Sequence, residues 1–295
     1  MRSLFLASLT VMSLASTGLA QQNAVLLELV EKGVPMPDGS RIRLPPPTME
    51  DNLDAAAQLA AIQRIAQPNH TAEDLLRKSV VAPLVLDIHA IQGATPTARG
   101  IDFWFVAYGD WATLNSQSFV EGLVKTTDRE TSDRRVSRSG TLTDAELAVR
   151  GLRSKLGEGL EERYSYATFS LFDRVEISAT QHAVFHRGPE SMVVAAKIDP
   201  RFLSDAQYPN LWRPLKRDAA DKLQAGPPQP YLSAGYYGKV SRLRSPEGAV
   251  FIEYHLVFDE PRGWFGGSNL LRSKLPLIVQ DEVREFRRKW AKAGK

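Results

Sequence analysis

The pattern of hydrophobic and polar positions divides the chain into helical and extended stretches. Residues 23–32 are predicted to form a short helix, and apolar residues at helical spacing predict a longer one that begins after Thr48. Capping boxes at Thr71 and Thr143 predict two further helices. The basic residues from Arg287 onwards are interpreted as the solvated end of the last helix, or alternatively as a contact with an anionic membrane surface. That helix has the clearest apolar stripe, formed by Leu275, Val279, Val283, Phe286 and Trp290.

Extended stretches dominate the middle of the chain. Alternation is clearest in 175–186, whereas 101–108 is apolar on both faces, which predicts a central strand covered on both sides. A short helix is expected near 216–224. The predicted strands are 80–91, 101–108, 163–172, 175–186, 191–198, 235–244 and 249–259.

The order of these elements predicts the fold class. Hairpins in runs, with helices grouped at the start and the end, favour an α+β protein over a doubly wound parallel sheet. We expect a largely antiparallel sheet of about seven strands, with an N-terminal helical region and a long C-terminal amphipathic helix packed on the sheet.

Residues 1–20 have the three parts of a cleavable signal peptide. Arg2 supplies the positive start, 4–14 forms the apolar stretch, and small residues lead to a predicted cleavage between Ala20 and Gln21. The apolar stretch is well short of the roughly 20 residues that span a bilayer. We therefore expect a secreted or periplasmic protein, of bacterial origin.

The rest of the chain is predicted to form one folded unit. Residues 21–47 are an extended, Pro-rich N-terminal segment, and residues 48–295 are a single α+β domain. Within that domain, 124–141 alternates basic and acidic side chains with almost no large apolar residue. This predicts a mobile charged loop, or alternatively a flap that faces a ligand or partner.

Composition and motifs exclude several classes of function. The 295 residues include no cysteine, which excludes disulfides, thiolate metal sites and a lipidated N-terminus. The net charge of +3 is too small to favour nucleic-acid binding, and no later segment predicts a membrane span. Because the standard hydrolase and nucleotide-binding motifs are absent, no cofactor is expected. His182 and His186 lie about 13 Å apart along a predicted strand, so no metal is predicted there.

Two carboxylate–imidazole pairs form the candidate polar site. Asp87 and His89 share a face of one predicted strand, and Glu253 and His255 share a face of another. Each pair is about 6.6 Å apart along its strand. If the two strands were neighbours, the four groups would converge, and such pairs can hold a tautomer for general-base chemistry or bind a metal. A half-exposed polar sheet face is the alternative interpretation.

Aromatic residues on the strands suggest a different kind of site. They would line a concave sheet closed by the last helix and accept an apolar ligand, or else form a packed core. In element order the chain is similar to a helix-grip, START-like lipid-binding domain, although two strands precede the central helix and an N-terminal helical region is extra. Trp104 and Tyr166 are the candidate binding residues among Phe103, Trp104, Phe105, Tyr108, Tyr164, Tyr166, Phe169 and Phe172.

Three functional hypotheses follow from these observations. The first is an exported, soluble, non-catalytic binding or accessory protein for an apolar small molecule or lipid. The second is a structural or interaction protein of the cell envelope, with residues 124–141 or the last helix facing its partner. The third is a metal-dependent or hydrolase-like enzyme that uses Asp87, His89, Glu253 and His255.

Overall fold

A computed structural model describes most of the chain. The predicted signal peptide with its cleavage site at Ala20 and Gln21, and residues 124–133 of the predicted charged loop, lie outside the described residues. No helix within the described ranges is long and apolar enough to cross a bilayer. The described residues are 23–91, 96–114, 134–157, 159–265 and 269–293.

Six α-helices lie in the described part of the chain. They are α1 (Ala24–Leu27, continued by a π-helical turn, Glu28–Lys32), α2 (Ala55–Ala66), α3 (Ala72–Leu76), α4 (Trp111–Leu114), α5 (Asp144–Ala148) and α6 (Leu270–Ala293). The predicted capping boxes at Thr71 and Thr143 are present. Helix α2 starts later than predicted, because Asp54 rather than Thr48 accepts the hydrogen bond that caps it.

Fourteen strands are present in the same residues. They are β1 (Val34–Pro35), β2 (Arg41–Ile42), β3 (Val85–Ala90), β4 (Ala98–Tyr108), β5 (Arg134–Thr141), β6 (Leu156–Gly157), β7 (Leu160–Leu171), β8 (Val175–Arg187), β9 (Ser191–Ile198), β10 (Leu211–Arg217), β11 (Leu223–Ala225), β12 (Gln229–Pro230), β13 (Ala234–Arg242) and β14 (Ala249–Asp259). Strands β1 and β2 form a hairpin of their own, and the other twelve form one sheet.

The seven predicted strands form the main path of this sheet. Their order is β7, β8, β9, β13, β14, β4, β3, and every neighbouring pair is antiparallel. Strands β5 and β6 join β7, and β10 with β11 and β12 adds to β8. Among the described residues β3 pairs with β4 alone, so it is an edge strand. The predicted α+β class is confirmed.

Two stretches differ from the sequence prediction. The helix expected near 216–224 is wrong, because β10 and β11 form an antiparallel pair there, with Lys216 opposite Gln224. Residues 134–141 of the predicted loop form β5, which pairs with β7. Backbone pairing with β7 is one contact that the charged sequence pattern does not reveal. A second is the Arg138 guanidinium, which lies 4.8 Å from the centre of the Tyr166 ring.

Helices cover both faces of the central strands. Val106 and Phe251 pack with Ile62 and Leu75 of helices α2 and α3 in one apolar cluster. Phe105 and Val250, the alternate positions of β4 and β14, pack in another cluster with Val283 and Trp290 of α6. The central position predicted for 101–108 and the packing predicted for the last helix are therefore confirmed.

Arg287 is not solvated as predicted. Only 4% of the residue is exposed, and its guanidinium donates hydrogen bonds to the carbonyl oxygens of Val106 (2.9 Å), Pro83 (3.2 Å) and Ala82. Because residues 80–83 lead into β3, this one side chain ties the last helix to the start of the edge strand.

Candidate functional site

Asp102 joins the two predicted carboxylate–imidazole pairs. Strands β3 and β14 are not neighbours, since β4 lies between them and places Asp102 opposite Asp87 on one side and opposite His255 on the other. The Nδ1 atom of His255 lies 2.6 Å from Asp102 Oδ1, and the Nδ1 atom of His89 lies 3.8 Å from Asp102 Oδ2. The two pairs thus converge through a residue that the sequence analysis did not single out.

Asp87, His89, Asp102, His255 and Glu253 form a row of side chains across β3, β4 and β14, and the inner end of this row is buried. Glu253 is 0% exposed and His255 is 1% exposed. Glu253 accepts hydrogen bonds from the backbone N–H groups of Thr48 (2.7 Å) and Met49 (3.3 Å), and its Oε2 lies 3.4 Å from His255 Nε2. Residues 45–53, which we call the cover segment, therefore close this end of the row from solvent.

Aromatic side chains fix the position of the buried imidazole. The Trp104 ring meets His255 edge-on at 5.3 Å, and the Tyr237 ring lies 4.7 Å from it. Both aromatic residues also hold the cover segment, because Trp104 donates to Thr48 Oγ1 (3.1 Å) and Tyr237 donates to the Pro45 carbonyl oxygen (3.0 Å). Trp104 thus lies beside the site as a packing residue.

The buried part of the row places one imidazole and one ammonium group next to carboxylates. Burial opposes a charge on His255, but its hydrogen bonds with Asp102 and Glu253 outweigh burial and raise the pKa of the imidazole. A protonated ring donates from both nitrogens, one to each carboxylate. The row continues to Lys239, which lies opposite Glu253 and pairs with Asp51 of the cover segment at 2.9 Å.

The outer end of the row reaches the surface. The side chain of Asp87 is 64% exposed and that of His89 is 39% exposed, and His89 Nδ1 lies 3.2 Å from Asp87 Oδ2. The His89 ring lies directly over Gly100, where an added Cβ atom would come within 2.4 Å of Nε2. Gly100 therefore leaves the space that the imidazole occupies.

Asp87 and His89 open onto a groove of about 730 Å³. Its floor is the edge strand β3, one wall is the turn between α2 and α3, and the other wall is the first half of α6. His70 comes from the first wall and Arg272, Pro276 and Leu277 from the second. The aromatic residues predicted to line a cavity do not line this groove.

Tyr166 lies far from this site. It is on β7, separated from β3 along the sheet by β8, β9, β13, β14 and β4. Its ring packs at a tilt against that of Tyr208, with 4.5 Å between the ring centres, beneath Arg138. The structure therefore brings together five residues, the four predicted ones and Asp102, with Trp104 beside them and Tyr166 elsewhere.

Comparisons with known proteins find matches among solved structures. No family model matches the sequence, and no curated protein matches it either. Among solved structures, the chain matches the lipid transfer and protein localization domain of human StarD13 (DLC2) with a TM-score of 0.39 and 10% sequence identity. The match covers 72% of this chain and 86% of that chain.

Proposed function

We propose that this chain is an exported, non-catalytic binding protein that holds an amphipathic small molecule, of the lipid class, in the groove beside β3. The observation that carries the proposal is the groove itself, whose volume of about 730 Å³ falls within the range of small-molecule sites, about 300–1,000 Å³. The signal-peptide pattern of residues 1–20 supports export.

Apolar side chains from two elements give the groove a surface for a hydrocarbon group. Leu84 and Leu86 lie on the strand side, and Pro276 and Leu277 lie on the helix side. Leu277 is 64% exposed, which is unusual for a leucine of a helix that packs on a sheet. A hydrocarbon chain laid against Leu277 would remove this exposed apolar surface from water.

Hydrogen-bond donors in the same groove suit an acidic head group. Arg272 carries a permanent positive charge, and His70 supplies an imidazole from the opposite wall. A carboxylate or phosphate accepts hydrogen bonds from these groups, and a guanidinium binds either one in a bidentate fashion. An anionic amphiphile is therefore the class of ligand that we propose.

The enzyme hypothesis is less favoured by the geometry. Glu253 and His255 are covered by residues 45–53, so a substrate in the groove would meet only His89 and Asp87. The buried pair is positioned to hold Asp102 and the cover segment in place. Binding uses the groove as it stands, whereas catalysis by all four residues requires the cover segment to move away.

The test is binding of anthroyloxy-labelled stearate to the purified chain, followed by fluorescence. We expect saturable binding that unlabelled fatty acid displaces, and a loss of affinity of about tenfold in Leu277→Gln, because one apolar contact is replaced by a polar group. Val149→Gln is the matched control, since Val149 is also an exposed apolar residue, at 86%, and is not in the groove. Non-saturable binding, or equal losses in both variants, would overturn the proposal.

A further inference from the structure

Asp87 and Asp102 face each other directly across β3 and β4. Two carboxylates in this position repel each other, and like charges directly opposite destabilise a sheet. Asp102 also pairs with His255 on its other side, whereas Asp87 pairs with His89 alone among the described residues. Asp87 and Asp102 therefore form a negatively charged site at the end of the groove.

His89 points its Nδ1 atom into that site. The atom is inaccessible to solvent and has no hydrogen-bond partner among the described residues, although carboxylate oxygens lie at 3.2 Å and 3.8 Å. Leaving a buried ring nitrogen without a partner costs free energy. A ligand placed between His89 and the two carboxylates would satisfy it.

The three ligand atoms have the spacing of a metal site. One nitrogen of His89 and one oxygen from each of Asp87 and Asp102 lie within 4.8 Å of one another. Tetrahedral coordination with bonds of about 2.1 Å places ligand atoms roughly 3.4 Å apart. The distances of 3.2 Å and 3.8 Å from the imidazole to the carboxylates lie on either side of this value.

The surroundings hold two of the three residues in place. Asp102 accepts a hydrogen bond from His255, which Glu253 and the cover segment fix in turn. Gly100 leaves the space in which the His89 ring lies. In known metal sites, hydrogen bonds from neighbouring residues orient the coordinating side chains and tune the affinity for the metal.

We propose that Asp87, His89 and Asp102 bind one divalent transition-metal ion, with Zn²⁺ preferred, at the end of the groove. An imidazole ligand favours Zn²⁺ over Mg²⁺ and Ca²⁺, which prefer all-oxygen sites. The exposed side of the site leaves coordination positions for water or for an anionic group in the groove. The inference stands on these three residues and does not depend on the proposed amphiphile.

The experiment is a titration of the chelator-treated full chain with ZnCl₂, by calorimetry and by competition with a chromophoric chelator. We expect one Zn²⁺ per chain and no comparable binding of Mg²⁺ or Ca²⁺. His89→Ala and Asp87→Asn should each weaken zinc binding by at least about tenfold. Because Asp87 is 64% exposed, its conversion to asparagine leaves the fold intact, which far-UV circular dichroism will check.

Two further variants separate this site from adventitious binding. His182→Ala removes an imidazole that pairs with Glu162 elsewhere on the sheet, and it should leave zinc affinity unchanged. Gly100→Ala keeps all three ligands but displaces the His89 ring, so affinity should fall. No zinc binding, or binding that Asp87→Asn and His89→Ala leave unaltered, would overturn the proposal.

The two proposals fail in different ways. Leu277→Gln should lose affinity for the fatty acid probe and retain zinc, because Leu277 is not among the three ligands. Loss of zinc binding in Leu277→Gln would contradict the assignment of the metal to Asp87, His89 and Asp102. If the chain binds zinc but not the fatty acid probe, the proposed amphiphile is wrong and the proposed metal site stands.

Discussion

Lys239 Nζ and Asp51 Oδ1 lie 2.9 Å apart, and only 1% of the lysine side chain is exposed. The ammonium also donates to the Met49 carbonyl oxygen at 2.6 Å, and Ser191 donates to the same Asp51 oxygen at 2.7 Å. The pair thus joins the centre of the sheet to the cover segment, next to Glu253.

Removing one member of this pair should lower the stability of the folded protein. In Lys239→Met the Asp51 carboxylate loses its cation while it stays largely buried, and the free energy of unfolding should fall by about 3–5 kcal/mol. Urea denaturation followed by circular dichroism measures this change. The double variant Lys239→Met with Asp51→Leu should regain only part of the loss, because Met49 and Ser191 still lack these partners. A single variant as stable as wild type would contradict the prediction.

Arg287 offers a second test of a buried charge. Burial lowers the pKa of its guanidinium to about 10, so the side chain keeps its charge at neutral pH and needs its carbonyl acceptors. Arg287→Met should lower the free energy of unfolding by about 2–4 kcal/mol, because the acceptor oxygens of residues 80–83 lose their donor. Arg288→Met, at the exposed neighbouring position, is the control and should change it by less than about 0.5 kcal/mol.

The ion pair of Asp205 with Arg150 should make the stability of the fold depend on pH in the acid range. The hydrogen bonds of Arg150, at 2.6 Å and 3.0 Å, lower the pKa of the Asp205 carboxyl from 3.8 to about 2. A lowered pKa in the folded state stabilises the fold above the unfolded value, and this contribution disappears as the pH falls from about 4 to about 2. Asp205→Asn should therefore be less stable than wild type near neutral pH, and the difference should shrink through that interval. Urea midpoints at several pH values measure it, and a constant difference would refute it.

The predicted signal peptide of residues 1–20 implies a particular mature N-terminus. When the full sequence is expressed in a bacterium, the exported protein should begin at Gln21, as intact-mass measurement and N-terminal sequencing will show. Ala20→Arg places a large charged side chain at the cleavage position and should leave the precursor uncut. A cytoplasmic product that retains Met1 would contradict the prediction of export.

The main strands were predictable because each one carries its own signal. Strand β8 alternates apolar and polar residues, and β4 is apolar on both faces because helices cover both sides of it. Strand β10 was missed because Pro214 lies within it and Lys216 and Arg217 break the alternation. Its position depends on pairing with β8, which is distant in the sequence, so the residues around β10 do not indicate this pairing.

The polar site was only half predictable. The alternation of strands places Asp87 with His89 and Glu253 with His255, but register and strand order decide that Asp102 lies between them. One signal was available, since Asp102 is the sole charged residue in the apolar run 101–108. Burial of Glu253 and His255 could not be read locally, because the cover segment that encloses them is about 200 residues away in the chain.

The position of β3 at the edge of the sheet has a consequence for how the protein behaves at high concentration. An edge strand presents backbone groups with which another chain can pair, and charged side chains discourage such pairing. Asp87 is a charged and exposed residue of this strand, so we expect the residue that we assign to a metal also to oppose pairing between molecules. We therefore expect Asp87→Asn to form aggregates sooner than wild type on prolonged storage, and added salt to narrow the difference by screening the charge.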